Sequence, residues 1–187
     1  MKHLDLYLQK QRVNTTTPFI KNRDSILDIG CGDGALFKLY EKKGIGFFGI
    51  GIDTSLQGDI IENNYTLLKD SFPSSRIKNK FDIITVLAVF EHIPENEIEQ
   101  FVLSCKERLN PGGKIILTIP HPFVDYLLQI LKFLRLIEMD IQQHHKYDIK
   151  RTIGLFEKKG FKLLQHKTFQ FGLNNLFIFY DSTFHTA

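Results

Sequence analysis

The stretch ILDIGCGDG, from Ile26 to Gly34, decides how the rest of this 187-residue chain is read. Ile26, Leu27 and Ile29 are the apolar positions of a buried strand, interrupted only by Asp28. Glycines then stand at every second position, Gly30, Gly32 and Gly34, and a helical pattern follows at once. A glycine turn between a buried strand and a helix leaves the backbone bare, so a ligand can lie against it without meeting a Cβ. The arrangement predicts a site for an adenosine-containing cofactor.

Working outward, strands and helices alternate. Asp33 is placed to cap a helix on which Leu36, Leu39 and Tyr40 recur at helical spacing and which Gly44 ends. FFGIGID, Phe47 to Asp53, reads as a second buried strand, and Tyr65 to Leu68 as a short third. FDIITVLAVF, from Phe81 to Phe90, reads as a fourth strand. Ile93-Pro94-Glu95 leads into a helix over about 95–108, with Ile98, Phe101 and Val102 inward. LNPGG, Leu109 to Gly113, reads as a turn, KIILTIP as a fifth strand, and 123–137 as an apolar helix. Asp148 caps a further helix with Ile149, Ile153 and Phe156 on one face, ended by Gly160. The runs 161–170 and 175–180, around Gly172-Leu173-Asn174-Asn175, read as an antiparallel hairpin. Residues 2–12 form a short amphipathic helix with Leu4, Tyr7 and Leu8 on one face. Such alternation predicts a doubly wound, mostly parallel sheet in a single domain over 1–187.

Composition bounds the function. Hydrophobic content of 43% suits a soluble globular protein, and the aromatic share leans on phenylalanine, with 17 Phe and no Trp. The net charge of +3 comes from scattered Lys and Arg, with no basic stripe, so nucleic acid is not the expected partner. Cys31 and Cys105 lie far apart, which suggests neither a disulfide framework nor a metal site. MKHLDLYLQKQR lacks the apolar stretch of a signal peptide, and no apolar run reaches membrane-spanning length. A cytoplasmic location is expected.

The loop alone leaves the cofactor open. Gly30, Gly32 and Ala35 also satisfy the dinucleotide pattern G-x-G-x-x-G/A. Asp53, at the end of the second strand, sits where a carboxylate accepts both hydroxyls of a ribose, and that serves nicotinamide cofactors and S-adenosylmethionine alike.

The remaining pieces separate the two. ILDIGCGDG, GIDTS at 51–55, LLKDSFP at 67–73, FDIITVLAVFEHIP at 81–94 and LNPGGKIILTIP at 109–120 stand in one order. In that order they resemble the class I S-adenosylmethionine-dependent methyltransferases, and GLFEKKGFKLL with NNLFIFY resembles that family's last helix and closing hairpin. The resemblance implies a Rossmann-like α/β fold with a seven-stranded sheet, its last strand antiparallel and inserted beside the fifth. The cofactor half would span about 20–120, with acceptor or lid elements at about 1–15 and 121–150. The implied cofactor site comprises Asp28, Gly30, Cys31, Gly32, Gly34, Asp53, Thr54, Asp70, Ser71, Leu87 and Ala88. Within it, Asp28 would hold the loop and the methionine amino group, and Asp53 the ribose diol. Asp70 and Ser71 would lie near the adenine, and Leu87 and Ala88 would line the methionine side. Asp70 also reads as an N-cap or a solvated loop acid. One departure stands out: residues 54–64 leave little room for the helix that ordinarily separates the second and third strands.

Methyl transfer from a sulfonium is an in-line displacement, so aligning the acceptor supplies much of the catalysis. A base is needed only if the acceptor loses a proton. His92 follows the fourth strand and His121 the fifth, which makes them the candidate catalytic residues, ahead of His144 and His145. The [DN]PP[FY] motif of amino-directed nucleic-acid methyltransferases is replaced by Phe90-Glu91-His92-Ile93-Pro94, so a small-molecule, sugar or lipid-linked acceptor is favoured. The alternatives are an NAD(P)-dependent oxidoreductase and a non-catalytic S-adenosylmethionine-binding protein. FVDYLLQILKFLRLI at 123–137 carries a narrow polar stripe of Asp125, Gln129, Lys132 and Arg135. Its broad apolar surface reads as core, as a lid over an apolar acceptor, as a dimer seam or as a membrane-surface contact.

Overall fold

A computed structural model of the protein describes residues 2–121 and 149–182. The readings made for 123–137, for His144 and His145 and for the Asp148 cap lie outside these residues.

The elements run α1 (Lys2–Asn14), β1 (Asp24–Ile29), α2 (Ala35–Lys42), β2 (Phe47–Ile52), β3 (Ile60–Ile61) and β4 (Tyr65–Leu68). They continue with β5 (Phe81–Leu87), α3 (Ile98–Glu107), β6 (Leu109–Pro120), α4 (Ile149–Lys158), β7 (Phe161–Phe169) and β8 (Asn174–Asp181). The sheet order is β3-β4-β2-β1-β5-β6-β8-β7. β4, β2, β1, β5 and β6 are parallel, and β8 inserts antiparallel between β6 and β7. This is the expected doubly wound sheet with a closing hairpin, enlarged from seven strands to eight. The extra strand is β3, which pairs antiparallel with the outer edge of β4 and replaces the helix for which 54–64 had no room.

The two faces of the sheet carry separate apolar cores. On one side lie Phe90, Phe101, Phe156, Phe177 and Phe179, with the rings of Phe156 and Phe179 stacked at 4.3 Å. On the other, α1 and α2 deliver Val13, Leu36, Phe37 and Tyr40 against Phe47, Tyr65, Leu176 and Ile178. Phenylalanine thus contributes to both layers. Phe37 is fully buried on α2, together with Leu36 and Tyr40, whereas Leu39 is only partly buried. Phe37 lies across Gly49, where a Cβ would come within 2.5 Å of its ring.

Several element boundaries differ from the sequence reading. The N-cap of α2 is Gly34, at φ 79°, with no side-chain cap; Asp33 instead pairs with Lys38 at 2.9 Å. The positive φ of Gly34 turns the chain into the helix, so the preceding acid points away from the free amides. β5 stops at Leu87, and Phe90–His92 forms a 3-10 turn. α3 starts at Ile98, because Pro94 to Glu97 close a separate turn through the Glu97 N–H and the Pro94 carbonyl at 2.9 Å. LNPGG belongs to β6 through an irregular register against β5, held by Asn110 donating to Asp82 at 2.8 Å. No helix among the described residues is long and apolar enough to cross a membrane.

Candidate functional site

The strand order reverses between β1 and β5: the chain leaves β1 for β2 on one side and later returns to β5 on the other. A crevice opens at the carboxyl ends of strands at such a switch point. The register sets Ile29 beside Ile52 and Val86, and Ile52 beside Leu68, so the residues that follow each strand meet at one edge.

Two of the recesses at this edge share Gly30 and lie one on each side of the glycine loop. The larger, about 450 Å³, is lined by Gly30, Asp53, Thr54, Asp70, Ser71 and Phe72 on one wall and by Val89, His92, Ile93 and Phe101 on the other. The smaller, about 120 Å³, lies under α1 and is lined by Gln9, Arg12, Asp28, Cys31, Gly32 and Leu87. The backbone between them has no room for a side chain: a Cβ on Gly30, at φ 74°, would come within 2.2 Å of Val89 Cγ2. At Gly32, φ 52°, a Cβ would meet nothing within 4 Å, so that position borders open space.

The acidic residues have distinct duties. Asp53 accepts the backbone N–H of Gly32 at 2.8 Å and that of Ser55 at 2.8 Å. Burial works to raise its pKa, but the bonds from Ser55 and Gly32 outweigh it and hold the carboxyl below its ordinary value. Asp28 is buried and accepts the Thr85 hydroxyl at 2.6 Å. Burial pushes its pKa up to about 7; the Thr85 bond opposes this and the charge of Asp53 adds to it. Asp70 takes the Ser71 N–H at 2.8 Å and the Ser74 hydroxyl at 2.6 Å, so it organises its own loop while standing on the rim of the larger recess. Both of its oxygens are thus engaged by its own loop.

Of the other anticipated residues, Gly30, Thr54, Ser71 and His92 line the larger recess, and Cys31, Gly32 and Leu87 the smaller. Ala88 and Gly34 line neither. The Ala88 N–H turns back onto the carbonyl and hydroxyl of Thr118, both at 3.1 Å, and Gly34 packs toward Leu67. The cysteines are free thiols, and burial drives both pKa values upward. His121 is anchored outside both recesses, its N–H donating to Leu173 in the hairpin turn at 2.8 Å. No group of three metal-ligating side chains occurs among the described residues.

Arg12 and Gln9 are the main residues the sequence reading missed. Burial lowers the pKa of Arg12 while the charge of buried Glu91 raises it, and its Nε is buried without a partner. A signal was present: Arg12 follows Leu8 by four residues, which puts a cation on the apolar face of an amphipathic helix. Phe72, Val89, Ile93 and Phe101 were also missed as lining, because each reads equally well as core.

A recess with an acid and a guanidinium, joined across bare backbone to a larger one with a strand-end acid, fits an amino acid attached to a nucleoside. The profile of the methyltransferase-domain family matches residues 2–166. A ubiquinone biosynthesis O-methyltransferase of Coxiella burnetii is 31% identical over 116 residues, which cover 57% of this chain and 48% of the relative. The namesake protein of Colwellia psychrerythraea is 27% identical over 153 residues, covering 74% and 61%. This chain therefore spans about half the length of the Coxiella relative. Among solved structures, the Burkholderia thailandensis 1,6-didemethyltoxoflavin-N1-methyltransferase, with S-adenosylhomocysteine bound, superposes with a TM-score of 0.69. It is 10% identical, and the match covers 96% of this chain and 82% of the other. The Synechocystis magnesium protoporphyrin IX methyltransferase, also with S-adenosylhomocysteine bound, gives a TM-score of 0.67 at 15% identity, covering 93% and 84%. These neighbours share the fold. By its family match over most of its length, its strand order and its paired recesses, this chain belongs to the class I S-adenosylmethionine-dependent methyltransferases.

Proposed function

We propose that the chain transfers a methyl group from S-adenosylmethionine to a hydroxyl of a small-molecule acceptor. The observation that carries this reading is the pair of recesses meeting at Gly30, one with Asp28 and Arg12, the other with Asp53 and Asp70. An amino acid's ammonium and carboxylate suit Asp28 and Arg12, and a ribose diol suits the ionised Asp53. The cofactor, when bound, supplies a methyl group already activated on a sulfonium. The chain's own work is then to hold that group in line, exclude water and present the acceptor oxygen. Leu87 and Val89 give the reacting edge an apolar wall. The names of the relatives at 31% and 27% identity support oxygen as the acceptor atom. His121, after β6 and beside the hairpin turn, is the better candidate to take the hydroxyl proton. His92 belongs to the larger recess and acts on cofactor binding.

The test is calorimetry with S-adenosylmethionine, S-adenosylhomocysteine and NAD, followed by a screen of hydroxylated aromatics and sugars for methylated products by mass. Tight binding of the first two with transfer to an oxygen supports the reading. Binding of NAD alone would sink it. Binding without transfer to any acceptor would instead favour a non-catalytic cofactor-binding protein.

A further inference from the structure

Asn174 opens β8 opposite Pro120, the last residue of β6, and Phe169, the last residue of β7. It therefore stands at the carboxyl edge of the parallel strands. Its side chain shares a face with Leu176 and Ile178, which pack with Val13 and Leu36 on the α1 side. Leu87, which lines the smaller recess, packs against the same layer. Leu87 is level with Thr118 on β6, and Thr118 with Leu176 on β8. Asn174 thus lies two strand spacings, about 10 Å, from β5, within the span of a small molecule.

The hydrogen bonds of Asn174 fix which of its atoms is on offer. The Leu8 carbonyl of α1 can only accept, and Gln170 donates to it through Nε2 at 2.8 Å. Gln170 is left with Oε1, which can only accept, and Asn174 donates to it through Nδ2 at 2.5 Å. The direction of the relay is set by the backbone carbonyl at its start, so neither amide can be turned over without breaking a bond. What remains is Asn174 Oδ1, which is buried, with no hydrogen-bond partner, in a residue only 8% exposed. A buried acceptor without a donor carries a desolvation cost that a matching donor removes.

We infer that Asn174 is a positioning residue for the methyl acceptor, its Oδ1 accepting a hydrogen bond from an acceptor hydroxyl while Gln170 and Leu8 lock its orientation. The inference rests on the proposed methyl transfer to a hydroxyl, and it adds a specificity: compounds bearing a free O–H are selected over their ethers. Such selection suits an enzyme whose product has lost that proton, because the methylated oxygen no longer has a donor and is released more readily.

The test uses the protein saturated with S-adenosylhomocysteine, with catechol and 1,2-dimethoxybenzene as probes that share a ring but differ in the donor. Wild type is expected to bind catechol at least about tenfold more tightly than the ether. Asn174→Leu should erase that preference while leaving S-adenosylhomocysteine affinity and the melting temperature close to wild type. Should Asn174→Leu fail to fold, Gln170→Leu keeps Asn174 but unlocks its amide, and it should show a weakened preference. A wild type that binds both probes equally, or a folded variant that keeps the full preference, overturns the inference. Failure of S-adenosylhomocysteine to bind wild type would defeat the underlying reading instead, so the two failures are distinguishable.

Discussion

The Asp53 carboxylate at the end of β2 accepts the backbone N–H of Gly32 at 2.8 Å, so the strand-end acid and the glycine loop are one structural unit. Its other oxygen takes the Ser55 N–H at 2.8 Å. The acid anticipated as a ribose ligand is therefore also the clamp that shapes the loop. Hydrogen bonds to a charged group are each worth about 1.5–3 kcal/mol. Asp53→Ala should weaken S-adenosylmethionine binding at least about tenfold in calorimetry. Asp53→Asn, which can still accept through one oxygen, should fall between. A folded Asp53→Ala protein with unchanged affinity would remove Asp53 from the site.

Gly30 and Gly32 should fail differently. At Gly30 a new Cβ collides with Val89 as well as being strained at φ 74°, so Gly30→Ala is expected to lower both the melting temperature and cofactor affinity. At Gly32 the space is open, and only the left-handed backbone, costing about 1–2 kcal/mol, opposes a side chain. Gly32→Val should therefore stay folded yet lose binding, because the side chain enters the ligand's path. Thermal melts paired with calorimetry separate the two; identical behaviour would mean that the open space at Gly32 is not where the ligand lies.

Asp28 predicts a pH dependence. Its folded pKa, raised to about 7 chiefly by burial, lies above that of an unfolded aspartate, so folding favours the protonated form. The stability it contributes is complete below about pH 4 and is lost as pH rises through about 7. The free protein should accordingly become less stable between those values, and Asp28→Asn should flatten that slope. A ligand ammonium nearby favours the ionised form, so cofactor binding near neutral pH should release a proton. Calorimetry in buffers of different ionisation enthalpy reads that proton directly, and its persistence in Asp28→Asn would assign it elsewhere.

The two histidines at the strand ends should separate by function. His92→Ala is expected to weaken cofactor binding, because His92 lines the larger recess. His121→Ala should leave cofactor affinity intact and lower turnover on a hydroxylated acceptor by about a hundredfold or more, the range of a lost general base. Full turnover of His121→Ala across pH 6–9 would show that no base is drawn from this strand end.

How much was legible follows from the range of each interaction. The strands, the glycine loop and the strand-end acid Asp53 were readable because each is a local pattern: an apolar run, a spacing of glycines, a carboxylate about twenty residues further on. The shortness of 54–64 likewise announced the missing helix, since chain length limits what can fold there. Boundaries at Gly34 and Ile98 were misread because a positive φ and a separate turn outweighed the local capping signals.

What only the tertiary structure decided are the relationships between residues far apart in the chain. Arg12 joins Asp28 at the smaller recess because α1 packs over the edge of β1 and β5. Asp70 is satisfied by its own loop, and His121 is drawn to the hairpin turn rather than into either recess. The orphaned oxygen of Asn174 arises from a relay linking residues 8, 170 and 174, which only the insertion of β8 beside β6 brings together. Sequence periodicity determines which face of an element is apolar; it cannot say which donors will meet which acceptors. Those pairings depend on strand order and helix docking, and through them the fold converts a common glycine loop into a particular site.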